Sequence, residues 1–423
     1  MEKYEDLGAG NFEGARKMRN KETQEVVSVK FIPRGAEIND YLEWRILNHR
    51  SLTHPNVIQF IEVVLTLTHL AIIMEHADVT LLDHINAGPL SEDNARYIFQ
   101  QLICGVSYCH FMQICNQDLK LENVLLNESF MPFMPQLKIC DFDYTKSSML
   151  RSSPQMSVGK LSYIAPEVVI FNDYRGKNGK YVRFCKEVLH FLYEVEQKRP
   201  LSRSESKLCF ELEDHIQALS NAEADINLRR FKWFAKDIDM AERDNIISDD
   251  EGNFRDEIPR ILVMAELADV WSCGVTLFLM LFGTYVFQDS DDPENSSKTT
   301  RRIMLAQYKV PDHLHTSQDC QQLLARIFVA DPDKRIKVEE IRKHPWFLKN
   351  LPEELCEAAQ AVYYQGDTAH IHSLQTKEEI RRIVNEARIP PPSSSEVQVT
   401  QAVPDVEEDI DWYLEMYVMP RTS

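Results

Sequence analysis

Three of the four polar side chains in the segment DLKLEN are of types that can act on a nucleotide: Asp118, Lys120 and Asn123. A fourth, Asp141, opens the dipeptide Asp-Phe further along the chain. One carboxylate can orient an attacking hydroxyl and accept its proton, while an amide and a second carboxylate can hold magnesium ions on the β- and γ-phosphates of a nucleotide. By itself, DLKLEN could also be the chance start of a helix. The residue types permit phosphoryl transfer without requiring it.

A glycine-containing turn, Gly8-Ala9-Gly10-Asn11-Phe12, lies between two predicted strands near the N-terminus. Glycine has no Cβ, so backbone amides in such a turn can approach phosphate oxygens closely. Most turns of this kind are ordinary connections. Lys30, about twenty residues later, lies in the apolar stretch VVSVK. A lone strand lysine is usually an edge charge, but its place after a glycine turn favours a phosphate partner.

Two more motifs complete an ordered series. Ala165-Pro166-Glu167 follows Asp141-Phe142, and Asp269-Val270-Trp271-Ser272 comes later. Each motif alone is weak. Their order and spacing with the glycine turn, Lys30 and DLKLEN make coincidence an inadequate explanation.

The elements that must position these residues change character along the chain. Residues 1–75 alternate turn signals with the β-branched stretches EVVSVKFI, VIQFIEVVL and HLAIIME, interrupted by a charged helical stretch around residues 39–50. This pattern predicts a small sheet with one helix. From Ser91, a predicted N-cap, apolar residues recur at helical spacing as far as Val106. A β-rich front therefore meets a helical body near residue 78.

The bulk composition excludes several classes of protein. The 423 residues are 44% apolar and 27% charged, which is typical of a globular chain of two or three domains. The formal net charge of −19 argues against a nucleic-acid binder and favours basic partners. Nine scattered cysteines contain no CxxC pair, and the N-terminus lacks the apolar core of a signal peptide. We expect free thiols in a reducing compartment: the cytoplasm, the nucleus or both.

The run from Val270 to Phe287 is the one membrane candidate in the sequence. Its densely apolar part is too short to span a bilayer, and Asp269 stands at its head. The run predicts a buried core helix, and we expect no membrane segment.

Residues 178–266 carry helical patterns that end near an acidic turn at residues 248–252. They fit a helical surface insertion or translation of sequence that is normally spliced out, and less well a partner-binding module. Beyond residue 348 come two short helical patterns, the linker IPPPSSSE, and a tail with an acidic patch from Asp405 to Asp411.

The motif series resembles that of the protein kinases, over about residues 1–177 and 267–348. Stretches such as SEDNARYIFQQLICGVSYCH, LKICDFDY and ADVWSCGVTLF narrow the resemblance to the plant sucrose-nonfermenting-related kinases of the second subfamily. These are serine/threonine kinases activated by osmotic stress and abscisic acid.

The resemblance implies an α+β, bilobal fold. A small β-rich N-lobe (1–77) would meet a larger helical C-lobe (78–177 and 267–348), with the helical insertion (178–266) in the C-lobe. Residues 349–390 would form a regulatory helical box, which in the family packs on the N-lobe helix. Residues 391–423 would be a linker and a short acidic tail. The family's tail docks phosphatases of type 2C, and here it is reduced to Asp405–Asp411.

The same resemblance implies a site for ATP and Mg²⁺. Asp118 would be the catalytic base, Lys120 would neutralise the γ-phosphate, and Asn123 and Asp141 would bind Mg²⁺. The residues that it assigns to the nucleotide are Gly8, Gly10, Lys30, Met74, Glu75 and Ala77.

Other positions would serve substrate and regulation. Glu122 would meet an arginine upstream of the phosphorylated residue, and Ser157 is a candidate phosphorylation site in the activation loop. Glu167 would pair with Arg335 to brace the large lobe, in which Asp269 is also structural.

Several supporting residues depart from the family pattern. Glu13 replaces the third glycine of the loop, and Arg45 stands where a helix glutamate pairs with the lysine. Asn116-Gln117 replaces His-Arg before the catalytic aspartate, which removes the cation that reads a phosphorylated activation loop.

Three further departures lie near the metal and the hinge. Asp143 replaces the glycine after Asp141-Phe142, and Lys160 replaces a threonine that bridges the catalytic aspartate and lysine. Asp78-Val79-Thr80 replaces the Gly-Gly-Glu that follows the hinge. Each lost support is expected to cost ~1–3 kcal/mol of transition-state stabilisation, though such effects need not add.

The sequence therefore leaves two functional hypotheses and one alternative without a function. The first is a serine/threonine kinase, weakened by these departures, that acts in stress signalling on proteins with basic residues before Ser/Thr. The second is a pseudokinase that acts as a nucleotide-binding or regulatory scaffold for related kinases. The third is a decayed or mis-predicted gene product. The partners expected are protein substrates, type 2C phosphatases or related kinases, with no nucleic acid.

Overall fold

The structure is a computed structural model that describes residues 4–9, 15–86, 88–116, 118–128, 135–140, 161–168, 257–289, 292–293, 295–311, 316–364 and 373–391.

The N-terminal part folds as an antiparallel sheet of five strands in the order β1-β2-β3-β5-β4. The strands are β1 (Tyr4–Ala9), β2 (Ala15–Asn20), β3 (Val26–Pro33), β4 (Phe60–Leu65) and β5 (His69–Glu75), and helix α1 (Asp40–Ser51) connects β3 to β4. Strand residues alternate between two faces, so the sheet has two apolar sides. Val27 and Val29 pack on one side, while Ile72 and Met74 pack on the other.

The second part starts with β6 (Val79–Thr80), α2 (Leu81–Ile85) and the long helix α3 (Glu92–Phe111). Ser91 caps α3 as the sequence predicts, because its side chain accepts a hydrogen bond from the Asn94 amide. A 3-10 turn (Leu121–Asn123) leads to β7 (Val124–Asn127) and β8 (Gln136–Ile139), and these form a three-stranded sheet in the order β6-β7-β8.

Helix α4 (Glu257–Phe282) is the centre of the larger lobe. Within the described residues, its stretch Ala265–Phe282 is the one helical segment long and apolar enough to cross a membrane, and 94% of it is buried inside the protein. That burial agrees with the core helix that the sequence predicts here.

Smaller helices surround α4. They are α5 (Ser296–Met304), α6 (Gln318–Ile327), α7 (Val338–Ile341), α8 (Pro345–Leu348) and α9 (Glu357–Gln360), with 3-10 turns at Pro332–Lys334, Glu353–Leu355 and Ala361–Tyr364. The last helix of the described residues, α10 (Lys377–Ala387), returns to the smaller lobe and contacts α1, β4 and β5.

The predicted bilobal α+β architecture is confirmed: a small sheet-bearing lobe joins a larger helical one. The predicted insertion at 178–266 lies outside the described residues as far as 256. Helix α4 begins at Glu257, inside the predicted segment. The division of the chain into domains, including the linker and tail from residue 392, stays a prediction.

A hydrogen-bond network around Glu92 joins three helices of the larger lobe. Its Oε1 accepts from Trp346 Nε1, Ser317 Oγ and Arg96 Nη2, each at 2.7 Å, and its Oε2 accepts from the Ser317 amide at 2.7 Å. Arg96 is buried beneath it and lies over the Trp346 ring, 4.9 Å from the ring centre. One carboxylate therefore ties the start of α3 to the N-terminus of α6 and to α8.

We predict that Glu92→Ala lowers the free energy of unfolding by roughly 2–3 kcal/mol, because it deprives buried donors of their acceptor. Asp93→Ala is the matched control. Asp93 also pairs with Arg96, but its side chain is 71% exposed. The control should cost about 0–1 kcal/mol. Thermal unfolding of the three proteins measures the difference, and equal losses would contradict this account.

The same pair of variants makes a prediction about pH. Burial raises the pKa of Glu92, but the hydrogen bonds from Ser317 and Trp346 and the charge of Arg96 outweigh it, so the pKa is lowered overall. A lowered folded pKa gives stability that is present above the unfolded pKa and is lost as the pH falls through the folded pKa. The stability gap between wild type and Glu92→Ala should therefore narrow in acid.

Candidate functional site

The segment DLKLEN folds into a compact polar cluster. Asp118 Oδ2 accepts a hydrogen bond from Lys120 Nζ at 2.7 Å and another from Asn123 Nδ2 at 2.7 Å. Asn123 Nδ2 also donates to the Asp118 carbonyl at 3.0 Å. The carboxylate is thus fixed by a cation and an amide, while the amide oxygen of Asn123 is not used by these contacts. That oxygen is the metal-binding atom of the side chain, so the donor set fits Mg²⁺.

Asp269 holds the start of this cluster in place. Its fully buried Oδ2 accepts from the Asn116 amide at 2.9 Å and lies 2.9 Å from His110 Nε2. The Asn116 side chain in turn accepts a hydrogen bond from the Asp118 amide at 3.1 Å. In the sequence, Asn116 is noted only as a replacement for the histidine of the family pattern. The structure shows that its amide also supports the backbone of the aspartate.

The segment around Ala165-Pro166-Glu167 is fastened to helix α4 and to the polar cluster. The Tyr163 hydroxyl accepts from the Leu121 amide at 3.2 Å, and burial raises the pKa of Tyr163 well above its ordinary value. Trp271 Nε1 donates to the Ser162 carbonyl at 3.0 Å, and Ser272 Oγ donates to the Tyr163 carbonyl at 2.9 Å.

Glu167 and Arg335 form a buried, bidentate ion pair with distances of 2.6 and 2.8 Å. Arg335 also donates to the Leu267 and Val329 carbonyls, and its guanidinium lies 5.0 Å from the Trp271 ring centre. Because each donor has a partner, the buried charge is compensated.

The opposite side of the site comes from the small lobe. Lys30 lies on β3 between Ala15 of β2 and Ile72 of β5. Met74 lies opposite Ser28, two residues from Lys30, so all three side chains share one face of the sheet.

The shared face looks toward the larger lobe. Met74 packs in one apolar cluster with Ala15, Ala77, Leu125 and Cys140. The amide of Cys140 donates to the Asn123 carbonyl at 3.0 Å, which links this cluster to the polar one. The structure thus links the sheet face that carries Lys30 and Met74, through Cys140, to the segment that carries Asn123.

An ion pair that the sequence did not predict joins Glu75, in the connection between the lobes, to Lys138 of β8. Glu75 Oε1 lies 2.6 Å from Lys138 Nζ of β8, and Glu75 Oε2 accepts from the Gln59 amide at 3.1 Å. Lys138 is buried, and a buried lysine in an otherwise apolar strand requires an acidic partner. The lysine in the apolar strand β8 was therefore the sequence signal from which this ion pair could have been predicted.

Helix α1 turns its glutamate away from the cleft. Glu43 pairs with Arg388 at 3.0 Å and with Arg381 at 3.5 Å, and both arginines belong to the C-terminal segment around α10. Glu43 therefore does not replace the glutamate for which Arg45 stands.

The C-terminal segment is built into the small lobe. Ile380, Val384 and Ala387 of α10 are fully buried in the same apolar cluster as Met74. The Gln375 side chain donates to the Val63 carbonyl and accepts from its amide at 2.9 and 2.8 Å, as a neighbouring strand would. Arg34 donates to the Glu386 and Ile389 carbonyls at the end of the helix. The segment also packs on α1, while its role as a regulatory box stays a prediction.

Some candidate residues lie outside the described residues: Gly10, Asp141, Ser157 and the departures Glu13, Gln117, Asp143 and Lys160. Gly8 lies in β1. The roles of all the candidate site residues stay predictions.

We predict that Arg388→Glu weakens the docking of α10 by about 1 kcal/mol, because it sets a carboxylate against Glu43. Hydrogen exchange of α10 should speed up, and Glu43→Arg combined with Arg388→Glu should restore part of the protection. Arg382→Glu, an exposed position on the same helix, is the control. Unaltered exchange in Arg388→Glu would refute the ionic contribution.

The chain is similar in sequence to known proteins over most of its length. The chain matches the protein kinase domain family over residues 1–184 and 259–347. It is 49% identical to the rice (Oryza sativa subsp. japonica) serine/threonine-protein kinase SAPK7 over 94% of this chain and 87% of the relative. It is 45% identical to the Arabidopsis thaliana serine/threonine-protein kinase SRK2H over 94% of this chain and 86% of the relative. These matches confirm the resemblance found in the sequence.

Proposed function

Because the chain belongs to the protein kinase family, we propose that it transfers the γ-phosphate of ATP to serine and threonine hydroxyls of protein substrates. The observation that carries this proposal is the cluster of Asp118, Lys120 and Asn123, in which a carboxylate is held by a cation and an amide at 2.7 Å each. Such a cluster presents a base, a positive charge and a metal ligand at one point.

Asp118 is the residue that receives the substrate proton. Its Oδ2 is engaged by Lys120 and Asn123, and its backbone amide is anchored through Asn116. A fixed carboxylate can orient the attacking hydroxyl and accept its proton as the phosphorus–oxygen bond forms. Lys120 supplies positive charge beside the phosphoryl oxygens. This charge offsets the repulsion between those oxygens and the attacking oxygen as the hydroxyl approaches.

The small lobe binds the nucleotide. The purine would lie in the apolar cluster of Ala15, Met74, Ala77 and Leu125, against the segment Glu75 to Ala77. Lys30 would hold the α- and β-phosphates, with the turn containing Gly8 and Gly10 above them. Asn123 and Asp141 would hold Mg²⁺, which when bound neutralises charge on the β- and γ-phosphates.

The substituted supports set the expected rate. A cation, Arg45, replaces the glutamate that would orient Lys30, and Glu43 is committed to Arg381 and Arg388. We infer that turnover is slow, because positioning of the phosphates is weaker than in a kinase with the full set of supports. Residues acting as a unit do not contribute additively, so the loss is smaller than the sum of the separate effects.

Substrate choice and regulation follow from the surroundings of the cluster. Glu122 offers a carboxylate beside Asp118, which favours substrates with arginine upstream of the phosphorylated residue. The docked helix α10 fixes α1, so partners that displace it would alter the nucleotide site. Type 2C phosphatases and related kinases are the proposed partners, in the cytoplasm or nucleus, within stress signalling.

We predict that Asp118→Asn lowers phosphate transfer at least ~100-fold, because the amide cannot accept the substrate proton. Labelled phosphate from Mg-ATP transferred to a serine peptide with arginine three residues upstream is the measurement. ADP affinity should be unchanged. Phosphate transfer by Asp118→Asn at the wild-type rate would mean that the activity comes from a contaminating enzyme.

Glu122→Gln tests the substrate contact separately. Transfer to the arginine-containing peptide should fall about tenfold, the loss of one charge-assisted contact, while transfer to a matched peptide with alanine at that position should not change. An equal decrease with both peptides would assign Glu122 a structural role instead.

A further inference from the structure

Ser28 and His76 form a hydrogen-bonded pair on the sheet face that carries Lys30 and Met74. Ser28 Oγ lies 3.0 Å from His76 Nδ1. Ser28 is buried on β3, opposite Met74 and on the same face as Lys30. His76 lies between Glu75 and Ala77, in the segment that joins the lobes. The pair therefore connects the sheet above the purine to the segment that would meet the edge of the purine.

The second ring nitrogen of His76, Nε2, lacks a hydrogen-bond partner among the described residues. Nε2 is buried, and within the part of the chain that the structure describes it meets no hydrogen-bond partner. Buried polar atoms in folded proteins are nearly always paired, so an unpaired one at a ligand cleft calls for an explanation.

The number of protons on the Ser28–His76 pair leaves one donor for a ligand. Burial and then the charge of Lys17 lower the pKa of His76, while Asp78 raises it, and the net shift favours the neutral ring. A neutral imidazole carries one N–H and serine carries one O–H. Their mutual hydrogen bond uses one of the two protons. The other remains as a donor, on Nε2 in one tautomer or on Ser28 Oγ in the other.

We propose that Ser28 and His76 act as one recognition unit that donates a hydrogen bond to an acceptor atom of the purine or ribose of the bound nucleotide. This rests on the proposed function, because it assumes that a nucleotide occupies the cleft. The acceptor belongs to the base or the sugar rather than to the phosphates, because the pair lies beside Met74 and the Glu75–Ala77 segment, where the purine would bind. Both residues are positioning and affinity residues, with no part in proton transfer.

The first test measures ADP affinity by calorimetry in the presence of Mg²⁺. Ser28→Ala and His76→Phe should each weaken binding about tenfold, equivalent to about 1.4 kcal/mol. The double variant should be no weaker than either single one, because removing either member already removes the donor. Ser107→Ala is the matched control, since that hydroxyl pairs with Tyr364, away from the cleft.

The second test uses the wild-type protein and needs no variant to fold. Among the 1-deaza, 3-deaza, 7-deaza, 2′-deoxy, 3′-deoxy and carbocyclic analogues of ADP, each lacking one acceptor atom, one should bind about tenfold more weakly than ADP. That preference should vanish in Ser28→Ala. In steady-state assays the KM for ATP should rise while kcat is unchanged, a split that a purely structural role would not produce.

The outcomes separate the two levels of the proposal. Unchanged ADP affinity in both variants, with only a lower melting temperature, would overturn the role of the pair and leave the kinase function standing. Equal affinity of the wild type for ADP and all six analogues would do the same. Failure of the wild type to bind any adenine nucleotide would overturn the pair and the proposed function together.

Discussion

The carboxylate of Asp269 is buried without any exposed surface, and it bonds to the Asn116 amide and to His110. A charge in such a place is tolerated only if it is fully hydrogen-bonded, so the backbone ahead of Asp118 is held where the bonds require. From there Asn116 fixes the Asp118 amide, Asp118 gathers Lys120 and Asn123, and Asn123 meets Cys140. The site is positioned from the interior outward.

The two lobes treat their charged residues differently. In the larger lobe, the ion pairs of Glu167 with Arg335 and of Glu92 with Arg96 are internal, and each is surrounded by further donors or acceptors. In the small lobe, Glu43 is committed to the C-terminal segment. The ion pairs of Glu167 and Glu92 therefore brace the interior of the larger lobe, while Glu43 ties the small lobe to the C-terminal segment.

The sequence predicted what depends on short separations and on motif order. Asp118, Lys120 and Asn123 meet because they lie in one turn, and the Ser91 cap follows from local chemistry. The pairing of Glu167 with Arg335 spans 168 residues, so only the family resemblance could suggest it.

Contacts across strands were the ones missed. Ser28 meets His76, and Glu75 meets Lys138, only after β3, β5 and β8 have found their registers, which no local pattern specifies. The second role of Asn116, as an acceptor for the Asp118 amide, was hidden for a related reason: it depends on Asp269 arriving from a distant helix.

The small lobe is assembled from two ends of the chain, since Ile380, Val384 and Ala387 complete a core begun by strands more than 300 residues earlier. A protein made from its N-terminus cannot close that core until α10 has left the ribosome. The nascent sheet must wait with apolar surface uncovered while the larger lobe is synthesised. Premature termination near residue 370 would release a chain with an unfinished small lobe, a natural substrate for chaperones and proteases.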